Sequence, residues 1–511
     1  MKRSHPPRPQ GRKGASRLAV ASGSPSGTSA AVDIALAGGN AVDACVAASV
    51  MAWVAEPLFS SLGGSAFVTV AAPDGTVEVI DGNSAMPHTP PPQPGAGVTR
   101  VHLPYSDGVE TGIGGGSVAV PGVLAALHRA WRRHGTAPWD EVLAPAIAAA
   151  RKGIAVPPTS AYYLSVTWRA LWSRYAEAAA LLGRDGVPLV EGELLRQPAL
   201  AEVLEEVARH GPRVFYEGEV AADIAASARR DGGFLQKSDL SSYEAEVRPP
   251  LMIRAFGSEV FTNPPPATGG AVLAHLLTQM ESSLPALGSD DDKTRLQAFV
   301  GALGAAYAYR RQRYQDPSGI AAAYAEAVGR LKGPASTTHA SAADTGGYAC
   351  AITASAGYGS GLVVRGIVLN NTLGEEELNP LGIHSLPPGA RCHSNMAPTI
   401  VRSEGRTVAL GSPGADRIVS AIAQALLRIT VDDADLAAAV SSPRAHLDRR
   451  AEGEVLCYEP GLPGDAIEGY PARPFEDKHM FFGAVQAAEL RPDGRVAAAH
   501  DPRRSGASAI V

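Results

Sequence analysis

The arrangement of helical and strand-like segments along the chain is the feature that most restricts its fold. Residues 139–331 carry mostly Ala- and Leu-rich amphipathic patterns typical of helices, with a few strand-like runs among them. After residue 337 the patterns become mainly strand-like, and one helical segment, DRIVSAIAQALLRI, lies between them. Because helices and strands occur in blocks and do not alternate, we expect a layered α+β sandwich and not a doubly wound parallel sheet.

The first part of the chain carries clear local signals. Apolar residues recur at helical spacing on both sides of Gly38-Gly39, which predicts two helices over residues 27–57. Asp43 falls in the first turn of the second helix, where a carboxylate interacts favourably with the helix dipole. Further on, the turn Pro73-Asp74-Gly75 between two strand-like runs predicts a hairpin.

Charge and hydropathy argue against several classes of partner. The chain has 511 residues and a net charge of −6, so nothing in its composition indicates a nucleic-acid partner. It has no run of 18 apolar residues, so we expect no transmembrane helix and no membrane partner. Residues 1–17 are basic and rich in Pro and Gly, which predicts a disordered tail without the apolar core of a secretory signal. The predicted location is therefore cytoplasmic.

Common catalytic and metal-binding motifs are missing from the sequence. It contains no P-loop, no HExxH and no GxSxG. The acidic run at 288–293 is expected to be a solvated loop. The cysteines are too far apart to form a CxxC pair and are expected to be small buried residues: Cys45, Cys350, Cys392 and Cys457. We therefore expect neither a metal nor a cofactor.

Thr337 stands at the head of a strand-like segment, in STTHASAAD. A threonine hydroxyl is a weak nucleophile unless a base accepts its proton. Cleavage between Ser336 and Thr337 would free the α-amine of Thr337, which titrates near about pH 8 and lies beside the hydroxyl. Such a motif is far more often structural than catalytic when taken alone. Strand alternation puts His339 on the same face as Thr337, where it either lines a pocket or is a structural histidine in the core or at the surface.

From about Leu18 to its end, the chain resembles the γ-glutamyltranspeptidase (glutathione hydrolase) family. The segments that carry the resemblance occur in one order: VASGSPSGTSAAVDIALAGGNAVDACVAA (20–48), EPLFSSLGGSAFV (56–68), GGSVAVPGVLAALHRAWRRHG (115–135), FYEGEVAADIAASARRDGGFLQKSDLSSYEAEVRPPL (215–251), STTHASAAD (336–344), SNMAPTI (394–400), GSPGADRI (411–418) and DPRRSG (501–506). The resemblance implies a precursor that cleaves itself before a threonine and folds as an N-terminal-nucleophile αββα sandwich. Residues 18–336 would form the large subunit and 337–511 the small subunit, and the two fragments would stay together.

The resemblance also implies the catalytic residues. Thr337 matches the nucleophile, and Ser355 stands where the family has a threonine that hydrogen-bonds the nucleophile. Gly414 and Ala415 stand where two glycines donate their backbone N–H groups to form an oxyanion hole. The second N–H is retained only if the local backbone tolerates a Cβ atom.

The implied substrate-binding positions depart from the family pattern. Ser394 matches the first of two serines that bind the substrate carboxylate, and Asn395 replaces the second. Asn83 stands where the family has an arginine that clamps the same carboxylate. Thr372 replaces a glutamine, and Glu375 replaces the aspartate that binds the α-amine. The family asparagine after the hydroxyl-bearing strand has no counterpart, because that loop is shorter.

These departures suggest acyl transfer from a small molecule other than glutathione, through an ester on Thr337. The pattern resembles an atypical branch in the biosynthesis of pyrrolobenzodiazepine, hormaomycin and lincosamide antibiotics, which uses this threonine to hydrolyse a C–C bond. The alternatives are an amide acylase similar to the cephalosporin acylases, an ordinary γ-glutamyl hydrolase or transferase, and an inactive homologue that only binds.

Overall fold

The computed structural model describes residues 17–105, 108–313, 337–450 and 453–511. Its α-helices are α1 (Pro25–Leu36), α2 (Ala41–Ala55), α3 (Val123–His134), α4 (Trp139–Lys152), α5 (Pro158–Thr167), α6 (Ala176–Leu182), α7 (Pro198–His210), α8 (Arg213–Glu217), α9 (Glu219–Arg230), α10 (Lys237–Ser241), α11 (Thr268–Ser282), α12 (Leu284–Leu287), α13 (Asp292–Arg313), α14 (Arg417–Thr430) and α15 (Leu436–Ser441).

The strands in the described residues are β1 (Leu18–Ser22), β2 (Ser65–Ala71), β3 (Val77–Gly82), β4 (Thr99–Leu103), β5 (Val109–Ile113), β6 (Ile154–Ala155), β7 (Gly183–Arg184), β8 (Val187–Pro188), β9 (Leu194–Leu195), β10 (Glu246–Arg248), β11 (Leu251–Ala255), β12 (Ser258–Thr262), β13 (Thr337–Asp344), β14 (Ala349–Ser355), β15 (Val363–Val364), β16 (Ile367–Val368), β17 (Thr399–Ser403), β18 (Arg406–Gly411), β19 (Ala445–Arg450), β20 (Gly453–Tyr458), β21 (Ala472–Pro474), β22 (Gln486–Leu490), β23 (Val496–Ala499) and β24 (Ala507–Ile510).

Two antiparallel sheets form the centre of the molecule. The first has the strand order β10-β3-β2-β14-β13-β1-β24, and the second has the order β11-β12-β17-β18-β22-β23. The sheets pack face to face through small buried side chains, among them Ala343, Ala351, Ala409 and Ala488. Alanines at these positions let the two backbones approach closely, as in other sheet-on-sheet packings.

Helices cover the outer faces of both sheets. Helices α1 to α4, α7 and α9 share one large apolar core with the first sheet, and α11, α13 and α14 share another with the second. The order of layers is therefore helix, sheet, sheet, helix, and the predicted αββα fold is confirmed.

The local predictions in the first part of the chain are confirmed as well. Helices α1 and α2 are separated at residues 38 and 39, and Asp43 forms a capping box with Asn40. Strands β2 and β3 pair as the predicted hairpin. All four cysteines are free and buried. Residues 1–16 of the predicted tail, and residues 314–336 before the predicted cleavage site, lie outside the described residues.

Within the described ranges, no helix has both the length and the apolar character needed to cross a membrane.

Candidate active site

Thr337 is the first residue of β13 and lies directly opposite Ser355, the last residue of β14. Its side chain is buried, and its hydroxyl donates a hydrogen bond to Ser355 Oγ at 3.3 Å. Ser355 Oγ also accepts the backbone N–H of Gly357 at 3.0 Å, which orients the serine hydroxyl. The hairpin therefore holds a threonine hydroxyl in a defined position at one end of the first sheet.

Two buried residues, Arg504 and Glu56, hold the start of β13. Arg504 Nη1 donates to the Thr337 carbonyl at 3.0 Å, and its guanidinium lies over the Phe59 ring. Thr338 Oγ1 donates to Glu56 Oε2 at 3.1 Å. Burial raises the pKa of Glu56, and the charge of Arg504 and the bond from Thr338 partly offset this shift. Neither residue was predicted from the sequence to belong to the site, although Glu56 lies in the matching segment EPLFSSLGG and Arg504 lies in DPRRSG.

His339 belongs to the core. Its ring nitrogens lie 2.8 Å from Thr353 Oγ1 and 2.8 Å from Ser341 Oγ, and the residue is buried. Burial lowers the pKa of His339 to about 3, so the ring is neutral at ordinary pH. The sequence left the position of His339 open, and the structure places its side chain in the core.

Thr337 faces a cavity that opens to solvent, and the empty space in it, including the open part, is about 360 Å³. The cavity brings together eight of the nine positions selected from the sequence: Asn83, Thr337, Ser355, Thr372, Glu375, Ser394, Asn395 and Ala415. The ninth, Gly414, directly precedes Ala415. The remaining lining residues were not selected: Ser65, Glu377, Leu378, His393, Met396 and Ile418. A single continuous cavity therefore joins the threonine to the positions expected to bind substrate.

Gly414 and Ala415 form a left-handed turn just before α14. Their φ angles are +126° and +55°. The left-handed region costs a residue with a Cβ atom about 1 kcal/mol. The Ala415 methyl group is buried in an apolar cluster with Phe59 and Tyr358, which helps to offset that cost. Within the described part of the chain, neither backbone N–H of this turn donates a hydrogen bond, so both are available to an anion.

Asn83 is held in one orientation. Its side-chain Nδ2 donates to the Cys392 backbone carbonyl at 2.6 Å. The backbone carbonyl of Asn83 accepts hydrogen bonds from the Tyr243 hydroxyl at 2.5 Å and from Arg391 Nη1 at 3.1 Å. Arg391 lies over the Tyr243 ring, behind Asn83. The Cys392 carbonyl thus occupies one of the two side-chain N–H groups of Asn83. The neighbouring cation, Arg391, donates to the backbone carbonyl of Asn83.

The neighbouring segment 394–396 is held by the start of α11. The Thr268 hydroxyl lies 2.7 Å from the Ser394 carbonyl and 3.3 Å from Asn395 Oδ1. Ser394 Oγ accepts the backbone N–H of Met396 at 3.2 Å. Thr372 Oγ1 lies 3.4 Å from Ser84 Oγ. These polar side chains are therefore fixed before any substrate arrives.

Two carboxyl groups lie on the opposite wall of the cavity. Glu375 is 3% exposed. A Cβ atom on residue 357 would lie only 2.5 Å from Glu375 Oε1, so a glycine at this position leaves room for the glutamate side chain, which is longer than an aspartate. Burial, together with the charge of Glu377, raises the pKa of Glu375 well above its usual range. Burial and the charge of Asp416 raise the pKa of Glu377 to about 7.

No group of three or more His, Cys, Asp and Glu side chains in the described residues is arranged to hold a metal ion.

Comparisons with known proteins identify the family and the fold of the chain. A family model for gamma-glutamyltranspeptidase matches residues 27–329 and 320–511. The chain is 31% identical to the acylase ACY 1 proenzyme of Pseudomonas sp. (strain V22), covering 97% of this chain and 94% of that protein. It is 29% identical to the glutathione hydrolase proenzyme of Escherichia coli (strain K12), covering 95% and 90%. A crystal structure of cephalosporin acylase from Bacillus halodurans superposes with a TM-score of 0.77 at 22% identity, covering 100% of this chain and 99% of that one, and shows the same fold.

Proposed function

Because this chain belongs to the gamma-glutamyltranspeptidase family of hydrolases and acyltransferases, we propose that it is an N-terminal-threonine enzyme that forms an acyl ester on Thr337. The observation that carries the proposal is the position of the Thr337 hydroxyl. It lies at a strand head, bonded to Ser355, in the same cavity as the Gly414-Ala415 turn. The names of two relatives include the word proenzyme, which supports a precursor. The proposed division is between residues 18–336 and 337–511.

The proposed reaction begins within the precursor. The Thr337 oxygen attacks the Ser336 carbonyl carbon, the Ser336–Thr337 amide bond breaks as an ester forms, and water hydrolyses that ester. This frees the α-amine of Thr337, which then accepts the hydroxyl proton when the oxygen attacks a substrate carbonyl. The backbone N–H groups of Gly414 and Ala415 stabilise the oxyanion, the leaving group takes the proton, and water or an amine removes the acyl group.

The proposed substrate is an acyl compound other than glutathione, used in secondary metabolism. The support is the carboxylate subsite, where Asn83 is uncharged and already bonded to the Cys392 carbonyl. The bond that breaks is a C–N bond or, as in the antibiotic-pathway branch, a C–C bond whose carbon retains the electron pair. Relatives named as an acylase and as a glutathione hydrolase are similarly identical to this chain, so the comparisons favour neither activity. The cytoplasmic location stays a prediction.

Trapping the intermediate tests the proposal. A slow acyl donor incubated with the purified protein is expected to add its acyl mass to a fragment that begins at Thr337, detected by peptide mass spectrometry. An acyl group found on another residue, or catalysis with no modified Thr337 after rapid acid quenching, would show that the nucleophile is wrong.

Replacing Ser355 with alanine is expected to slow turnover by about 10- to 100-fold, because the Thr337 hydroxyl loses the partner that orients it. Ser65→Ala is the matched control. Ser65 lines the same cavity on the neighbouring strand, opposite Ser355, but it bonds to the Ser355 backbone and not to Thr337. Steady-state kinetics of the two variants should therefore differ, and equal rates would remove Ser355 from the proposed machinery.

A further inference from the structure

The described lining of the cavity next to Thr337 has carboxyl groups but no lysine or arginine. Glu375 and Glu377 both line it. Burial lowers the pKa of His393, which also lines it. A substrate carboxylate entering this cavity would therefore meet two carboxyl groups and no lysine or arginine among the described lining residues.

Glu375 is built into the cavity without a partner. In the described part of the chain its carboxyl group makes no hydrogen bond and no ion pair, although only 3% of the residue is exposed. A buried carboxyl group left unpaired is costly, since it gives up its hydration and receives no donor in return. The unused oxygens therefore point to a ligand that supplies N–H donors.

Glu377 is oriented toward the same space. Asn395 Nδ2 donates to Glu377 Oε1 at 3.4 Å, and Asn395 itself is held by Thr268. The charged surroundings of Glu377 are Glu375, Asp416, Arg310 and Arg417, and Arg417 is paired with Asp416 at 2.7 Å.

We propose that this enzyme selects acyl donors that carry an amine and lack a carboxylate, with the ammonium group bound between Glu375 and Glu377. The inference rests on the proposed function and deepens it. The resemblance places an amine-binding acid at Glu375, whereas Glu377 and the exclusion of a substrate carboxylate follow from the cavity itself. Two adjacent buried carboxyl groups repel each other, so the empty site retains a proton that an entering cation displaces.

This arrangement predicts a pH dependence. Glu377 has a raised pKa of about 7, so it is largely protonated below pH 7 and ionised above it. Preference for a cationic acyl group should therefore increase as the pH rises from 6 to 8. The α-amine of Thr337 titrates in the same range, but it acts on every substrate equally and cancels in a ratio of two substrates.

Three 4-nitroanilide substrates test the two charged groups of a γ-glutamyl donor one at a time. The 4-aminobutyryl compound keeps the ammonium group, the glutaryl compound keeps the carboxylate, and the butyryl compound has neither. We expect kcat/KM for 4-aminobutyryl to exceed that for butyryl by at least about tenfold at pH 8, and glutaryl to be the poorest. Glu377→Gln should bring the 4-aminobutyryl to butyryl ratio down about tenfold and remove its pH dependence. Glutaryl as the best donor, or an unchanged ratio in Glu377→Gln, would overturn the inference.

Glu376→Gln is the matched control. Glu376 lies between the two acids in sequence, but its carboxyl group contacts Arg100 at 3.1 Å and does not line the cavity. The ratio should not change in this variant.

A binding measurement distinguishes failure of this inference from failure of the proposed function. Calorimetric titration should show 4-aminobutyramide binding at least tenfold more tightly than glutaramate, and Glu377→Gln should remove that preference. If this holds while Thr337 is never acylated, the proposed reaction is wrong and the amine site stands. If glutaramate binds more tightly, the amine site is wrong whatever the reaction.

Discussion

Replacing Thr337 with alanine is expected to leave the protein as one chain of full length and to abolish acyl transfer. Both steps use the same oxygen, which lies at the head of β13 and donates to Ser355. Removing a covalent nucleophile typically lowers kcat by about 10⁴- to 10⁶-fold. A denaturing gel should show two fragments, residues 1–336 and 337–511, for the unmodified protein and one band for the variant.

Two further variants make this result specific. Thr337→Ser keeps a hydroxyl and should still divide into two fragments, although more slowly because the serine side chain is less restricted at χ1. Thr278→Ala removes an exposed threonine hydroxyl on α11 and should behave like the unmodified protein. An unmodified protein that is active while it remains one chain would contradict the N-terminal-threonine mechanism.

The position of Thr337 could be predicted because the signals there are local. Small residues alternate through the segment that follows it, and residues Thr337–Asp344 form a strand. Alternation along that strand also explains why Thr338 faces away from the cavity, toward Glu56. The positions of Thr337 and its hairpin partner Ser355 thus follow from strand periodicity together with the family resemblance.

Glu377 could not be predicted in the same way. Three glutamates follow one another at 375–377, and no helical or strand period extends over so short a run. The 3-10 turn Glu376–Leu378 sends the first and third toward the cavity and the second toward Arg100. That division depends on the dihedral angles of a single turn, which the order of residues alone does not determine.

The hydrogen bonding of the Asn83 side chain depends on a part of the chain that is distant in sequence. Its amide bonds to the carbonyl of Cys392, 309 residues further along, and this contact exists only because the two segments meet beside the cavity. The sequence identified Asn83 as a departure from the family pattern, but it could not show this contact. The Cys392 carbonyl takes one of the two amide hydrogens of Asn83.

The protein is expected to be a poor γ-glutamyl hydrolase. A γ-glutamyl group presents an ammonium and a carboxylate together, and the described cavity offers the carboxylate no lysine or arginine. Loss of a charge-assisted, two-pronged contact costs on the order of 100-fold in kcat/KM. We expect correspondingly weak release of 4-nitroaniline from the γ-glutamyl compound. Turnover of glutathione at ordinary enzyme rates, about 1–10³ s⁻¹, would contradict this expectation.

Asn83→Arg tests whether the lack of a cation explains the weak γ-glutamyl hydrolysis, because it introduces an arginine where the family has one that binds the substrate carboxylate. The variant is expected to raise kcat/KM for γ-glutamyl and glutaryl donors by about 10- to 100-fold and to leave the 4-aminobutyryl donor no better. Asn83→Lys, which adds the charge without the planar fork, should recover less, and Asn83→Leu should recover nothing. If Asn83→Leu matched Asn83→Arg, the gain would come from the lost Cys392 contact and not from charge recognition.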